Sequence, residues 1–377
     1  MRVGQISSHV IRYADTNDHG NLRQTVLVKV ETVDGVVGWG EGIAMWPEAC
    51  WATKTLIDTG FGPLLTAAGE ISVAEAWEKM RAHAWWYGEG GIACFAYSAL
   101  DMALWDIEGK LQGKPLYELL GGKAHESLPA YSSSHVNRAT RALCVEEIVG
   151  YRAEGYRGAK LGFGKRGLSN IGQDPDNDVA FVRELREALG PDFEIIVDVG
   201  NGVKWDRDTG IATTRRMAEY DIGWIEEPFY PTRVDDYRAL KAALPNMPIG
   251  TGEREFTVTG YQRLIETGTV DVLGVDPSRA EGVTGFTKID ALCGAAGITI
   301  NAHAWSTAIL SAASLHLSLC SPNARLFEFK PIPVVVQTDL VDEPIRQRGG
   351  RAYAPTRPGL GIEVDEAVVK ALSPIHI

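Results

Sequence analysis

The 377-residue chain is poor in the features that would assign it to several large functional classes. It has no basic run. Its 37 Lys and Arg stand against 49 Asp and Glu, a formal net charge of −12, so neither nucleic acid nor an anionic membrane surface would find an electrostatic footprint. Its five cysteines, Cys50, Cys94, Cys144, Cys293 and Cys320, are odd in number and widely scattered, without a Cys-x-x-Cys pair for zinc or redox work. They read as reduced, buried thiols, and the expected location is the cytoplasm. No apolar run approaches the ~18 residues that span a bilayer, and the N-terminal stretch has no apolar secretory core. An anionic small molecule remains possible as a substrate only if local charges attract it.

What the chain does contain is a series. Between Ile195 and Glu253, three short apolar runs end on carboxylates: Ile195-Ile196-Val197-Asp198, Trp224-Ile225-Glu226, and Pro248-Ile249-Gly250-Thr251-Gly252-Glu253. Each interval between them holds one amphipathic helical pattern. The three carboxylates therefore fall at the C-terminal ends of successive parallel strands and converge. Three anions held together at one point require a cation, and an all-oxygen set suits Mg²⁺.

The series sits within a longer repeat. Residues 1 to about 60 alternate as strands do, with Asp34-Gly35 as a hairpin turn, and a helical period runs from Val73 to Leu120. This predicts an N-terminal α+β domain over residues 1–124, completed by the tail at about 345–377, where a short strand pattern appears at Gly361 to Val364. From residue 125 to 344, strand, loop and helix recur at roughly 25-residue intervals, the period of a (β/α) barrel. Eight strands at that interval make the expected fold class α/β, with a (β/α)8 barrel.

Further polar residues continue the strand-end series: Asp276, His303 and Glu328. Asp276 is placed to bond one ring nitrogen of His303, fixing its tautomer and raising its basicity. Glu328, if protonated, would donate to a developing oxyanion. On the second strand, Lys160 is the one cation of the set, and Gly162, two residues on and facing the same way, leaves that slot with no side chain. Any one of these residues alone is more often a helix cap, a salt bridge or a structural histidine. It is their recurrence at consecutive strand ends that points to a site. Gly162-Phe163-Gly164-Lys165-Arg166-Gly167 matches a dinucleotide fingerprint, but no helix opens at its third glycine. Gly38-Trp39-Gly40-Glu41-Gly42 reads as a glycine-rich turn.

The chain resembles the mandelate racemase and muconate-lactonising branch of the enolase superfamily. The resemblance is carried by Ala99-Leu100-Asp101-Met102-Ala103-Leu104-Trp105-Asp106-Ile107 running on to Gly121-Gly122, by Trp224-Ile225-Glu226-Glu227-Pro228, and by Pro358-Gly359-Leu360-Gly361-Ile362. It implies an N-terminal α+β capping domain over a modified TIM barrel of (β/α)7β form, Mg²⁺ on Asp198, Glu226 and Glu253, and removal of the proton next to a substrate carboxylate. It further implies His303 with Asp276 as the base, Glu328 as the electrophile, and closure by a loop at Asp15 to Gly20 with His19 and a second loop at Met45 to Trp51. A homo-oligomer and an R-configured substrate centre are expected on the same ground.

The departure is at Lys160-Leu161-Gly162, where relatives commonly carry Lys-x-Lys. Without the second lysine, one-base chemistry is expected: dehydration of an aldonate or aldarate to a 2-keto-3-deoxy acid, with His303 as base and Lys160 near the substrate carboxylate. His19, Asn201, Arg254 and Trp305 are candidate substrate contacts. A cycloisomerase of a sugar-acid lactone or anhydro sugar acid is the runner-up. A racemase or epimerase would need Lys165 or His19 on the vacant face, and a non-catalytic metal-binding relative is the remaining alternative.

Overall fold

The computed structural model describes residues 1–164, 169–200, 203 and 205–374. Three antiparallel strands begin it, β1 (Val3–Asp15), β2 (Asn21–Thr32) and β3 (Val37–Met45), in that spatial order. Asp34-Gly35 turns the chain between β2 and β3 as expected, with Gly35 at φ 83°. The helix Ile92–Gln112 packs across β3, and the alternate glycines of Gly38-Trp39-Gly40-Glu41-Gly42 let it approach. A Cβ on Gly40 would stand 1.9 Å from the carbonyl oxygen of Ala99. The segment expected to be a turn is therefore a strand, and its glycines serve close backbone packing.

Helix also begins earlier than the sequence pattern suggested. Pro47, pre-set for a first helical position, starts the helix Pro47–Leu56, so most of the loop expected at Met45 to Trp51 is helical. Ser72 and Glu75 then form a reciprocal capping box at the start of Val73–Ala84. Val26, Val28, Val30, Phe61, Met80 and Leu100 are among the residues of this domain's own core.

Eight strands follow: β4 (Leu128–His135), β5 (Gly158–Gly162), β6 (Glu194–Asp198), β7 (Ile225–Glu226), β8 (Ile249–Thr251), β9 (Val272–Val275), β10 (Thr299–Ala302) and β11 (Phe327–Phe329). Neighbours pair in parallel from β4 to β10, and β11 returns to pair with β4. The Ile300 N–H to Asn323 carbonyl bond, 3.2 Å, ties the chain of β10 to the approach of β11. The result is a nearly closed barrel with helices outside, the expected fold class.

Alternation along each strand decides what enters the barrel. On β6, Ile195 and Val197 pack outward in the large core, while Ile196 and Asp198 point inward. On β7, Trp224 and Glu226 share the inner side, and the Trp224 indole N–H donates to Glu226 Oε2 at 3.0 Å. Trp224 joins Tyr131, Ile196, Val272 and Leu326 in an apolar plug that closes the bottom of the barrel.

A final strand, β12 (Arg351–Ala352), lies antiparallel on β4. The tail then crosses to the capping side, where the Leu360 N–H donates to Asp106 Oδ1 at 2.8 Å and Glu366 bonds Lys29 at 2.6 Å. The strand pattern expected at Gly361 to Val364 is only a single bridge between Val364 and Val341, followed by the helix Glu366–Leu372. Among the described residues, no helix is long and apolar enough to cross a membrane.

Candidate active site

Asp198 ends β6, Glu226 ends β7 and Glu253 follows β8 by two residues, so strand pairing brings the three side chains to one end of the barrel. One carboxylate oxygen from each lies within 4.8 Å of the others. Asp198 also accepts the Gly200 N–H at 2.9 Å. Burial, and then the charge of Glu226, push the Asp198 carboxyl up to about 8. The cluster is thus short of positive charge. Clustered oxygen donors of this kind fit a hard divalent cation.

Lys160, inward-facing on β5, is the nearest protein cation. Its Nζ lies 3.1 Å from Glu226, 3.2 Å from Glu328 and 3.9 Å from Asp198. Burial works against its charge, but Glu226, Glu328 and Asp198 outweigh that and hold it protonated well above the ordinary lysine range. Glu328 also accepts from the Asn301 amide at 2.5 Å, so a lysine and an amide both donate to its Oε1. The structure sets Glu328 beside Lys160, and it is not among the residues that line the cavity.

His303 follows β10 as Asp276 follows β9. Its Nδ1 lies 2.6 Å from Asp276 Oδ2, and the other Asp276 oxygen accepts from the backbone and hydroxyl of Ser278. A carboxylate held from behind in this way fixes the ring and leaves Nε2 as the atom for proton transfer. Burial lowers the His303 pKa, yet Asp276 reverses this and raises it above the ordinary value.

These groups open into one cavity at the mouth of the barrel. Its wall includes Lys160, Asp198, Glu253, Asp276, His303 and Trp305, and among the wall residues that the strand-end series did not include are Arg23, Ser133, Ser134, His135 and Arg279. Trp305 donates to the Ser133 carbonyl at 3.1 Å and lies under the guanidinium of Arg23, 4.4 Å from the ring centre. His19 is exposed at the end of the Thr16–Asp18 turn and does not line the cavity; Arg23, held by Asp18 at 2.8 Å, reaches it instead. Arg254 pairs with the buried Glu227 and donates to the Gly200 carbonyl at 2.9 Å, an arrangement that keeps it off the cavity wall. Asn201 and Lys165 lie outside the described residues.

One expectation is corrected. Gly162 has no side chain, but its slot is filled. A Cβ built there would come 2.4 Å from Nδ1 of His135, whose imidazole reaches over from the end of β4. Reading each strand by its own residues missed a side chain supplied by the neighbouring strand. The available signal was that His135 is itself the strand-end polar residue of the first barrel unit.

Two family descriptions cover most of this architecture. Residues 16–121 match the N-terminal domain of the mandelate racemase/muconate lactonizing enzymes, and residues 144–368 match the enolase C-terminal domain-like family. The chain belongs to the mandelate racemase/muconate lactonizing branch of the enolase superfamily. This superfamily member is 33% identical over 356 residues to a D-galactonate dehydratase of Ralstonia pickettii, covering 91% of this chain and 90% of the relative. It is 30% identical over 384 residues to a D-galactarolactone cycloisomerase of Agrobacterium fabrum, covering 97% of each. Among solved structures, the 3,6-anhydro-D-galactonate cycloisomerase of Zobellia galactanivorans superposes with a TM-score of 0.88 at 28% identity over 100% of both chains.

Proposed function

We propose that this enolase-superfamily enzyme is a Mg²⁺-dependent dehydratase of a sugar acid, an aldonate or aldarate, yielding a 2-keto-3-deoxy acid. The observation that carries the reading is the 2.6 Å His303–Asp276 pair on the same cavity wall as Asp198, Glu253 and Lys160. In this reading His303 takes the proton at C2 onto Nε2, and Asp276 offsets the imidazolium charge that results. Lys160 supplies positive charge close to the substrate carboxylate in a protein of net charge −12. A divalent cation held by Asp198, Glu226 and Glu253 would offset the negative charge that builds on the carboxylate as the proton leaves. Similarity to a D-galactonate dehydratase supports elimination of the 3-hydroxyl as the second step.

Similarity to two cycloisomerases supports a second reading, in which the β-oxygen that leaves belongs to a lactone or anhydro ring. Incubating the protein with Mg²⁺ and a set of acid sugars and their lactones, with semicarbazide detection of 2-keto acids, separates the two. Keto acid from an open-chain sugar acid is the expected result. Rearranged lactone or anhydro acid, with no open-chain acid consumed, sinks the dehydratase reading. His303→Asn should abolish turnover while Mg²⁺ binding, followed by calorimetry, stays intact; near-wild-type turnover in that variant removes His303 from the role of base.

A further inference from the structure

Beyond the carboxylates, Lys160 and the His303–Asp276 pair, the described residues of the cavity wall carry two more fixed charges, Arg23 and Arg279, and both are positive. They differ in which donors are still uncommitted. Arg279 gives Nη1 to the Glu253 carbonyl at 2.7 Å, and its guanidinium lies over the rings of Phe95 and Phe256, 5.2 Å from each centre. Arg23 reaches the cavity from the capping domain, near the start of β2, and gives Nε and Nη2 to one oxygen of Asp18 at 3.2 and 2.8 Å. Asp15 lies 3.4 Å from the same Nε. A guanidinium has five N–H donors, and the three that remain lie along the Nη1–Nη2 end, where none is hydrogen-bonded among the described residues. Trp305 covers one face of this guanidinium at 4.4 Å. The turn behind Asp18 is fastened to the segment after β11, because Asn17 exchanges two hydrogen bonds with Ile332, at 2.7 and 2.9 Å. Arg23 is thus fixed in place with its end edge uncommitted. An edge of two parallel N–H groups matches the two oxygens of a carboxylate.

We propose that Arg23 sets specificity by binding a second carboxylate at the far end of the substrate, so that the sugar acid is an aldarate, a diacid, and not an aldonate. This rests on the reading of the cavity as the site of a sugar-acid dehydratase. Lys160 faces into the barrel from β5, beside Asp198 and Glu226, and receives one carboxylate there, which leaves C2 before His303. The other carboxylate takes the end edge of Arg23, under the capping domain. An aldonate offers a hydroxymethyl group at that point. It presents one oxygen in place of two and no charge to set against the guanidinium, so the paired, charge-assisted hydrogen bonds are lost.

The test uses hexarates and the hexonates that match them at C2 to C5, so that the members of each pair differ only at C6. With the full-length Mg²⁺-loaded protein, kcat/KM for a hexarate should exceed that for its hexonate by about 10–10²-fold. Arg23→Met should abolish this preference through KM while hexonate turnover stays near the wild-type rate. Arg23→Lys, which keeps the charge but not the paired donors, should retain a small part of it. Calorimetry on Mg²⁺-loaded His303→Asn, which binds without turnover, should show the same preference in Kd, and adding Arg23→Met should remove it. Arg279→Met should move both members of a pair together. Equal or better use of hexonates by the wild type overturns the proposal and leaves the dehydratase reading standing. So does an equal loss of both acids in Arg23→Met, which is the mark of a purely structural arginine, or a loss of preference in Arg279→Met that Arg23→Met does not show. If the wild type makes keto acid from neither member of any pair, the dehydratase reading falls, and the calorimetric comparison still decides whether Arg23 binds the second carboxylate.

Discussion

In the proposed reaction, Asp276 is the residue on which the direction of proton transfer turns. Its Oδ1 is committed to Ser278, and its Oδ2 faces His303 Nδ1. In Asp276→Asn, the amide oxygen can keep Ser278 and the amide nitrogen then faces the ring. The imidazole is driven to the tautomer with its proton on Nε2, where it cannot accept one from C2. The expected result is a fall in kcat of about 10²–10⁴-fold, with KM and Mg²⁺ binding little changed. An undiminished kcat would show that the pair does not set the tautomer. The carboxylates were legible in the sequence because a strand-end position recurs with the repeat. His135 was not, because the end of one strand was filled by its neighbour's side chain, and lateral reach leaves no mark in spacing. Arg254 and His19 show the same limit: proximity in sequence to a site says nothing of which way a side chain turns once Glu227 offers Arg254 a buried partner.

At the scale of elements, the repeat was easy to read where helices are amphipathic and hard to read where packing overrides pattern. The helix Pro175–Leu189 shows every local signal: Asp174 as cap, proline at its first position, buried Val182, Leu185 and Leu189, and Gly190 at its end. β3 shows the opposite case, since its glycines mimic a turn and only the helix laid across it explains them. Gly40→Ala forces a Cβ into the Ala99 carbonyl, and neither the strand nor the helix Ile92–Gln112 can yield without moving the other. The expected cost is about 1–3 kcal/mol of stability, read as a lower urea midpoint with an unchanged slope. An unchanged midpoint would mean that this interface is not close-packed. The hairpin turn at Asp34-Gly35 is a useful contrast, because there the glycine is set by its positive φ, a local requirement that sequence does reveal.

At the scale of the whole molecule, the two domains are joined by buried polar groups. Ser306 and Thr307 of the barrel donate to Glu41 of β3, Thr284 donates to Asp101, and Lys330 pairs with Asp15. The tail closes the other side, and His316 is its anchor. Buried in the helix Ala308–Cys320, this ring donates from Nε2 to the Leu360 carbonyl at 3.2 Å and stacks on Tyr117. Burial pushes its pKa down to about 4 from the ordinary 6.5. The sign follows: the folded chain refuses a proton that the unfolded chain accepts, so this contribution is complete above pH 6.5 and is lost as pH falls from 6.5 toward 4. The steepest loss from this one group is about 1.4 kcal/mol per pH unit. His316→Phe keeps the stacking and removes the titration, at the cost of one buried hydrogen bond, about 0.5–1.5 kcal/mol. At neutral pH the variant should be the less stable protein. Its deficit should narrow steadily as pH falls below 6.5 and reverse before the ring's folded-state midpoint is reached. Urea denaturation of both proteins at half-unit steps of about pH 7.5 to 4.5 measures the difference directly, and other titrating groups cancel in it. Two parallel stability curves over that range would show that His316 does not titrate against folding and that the tail is anchored by packing alone.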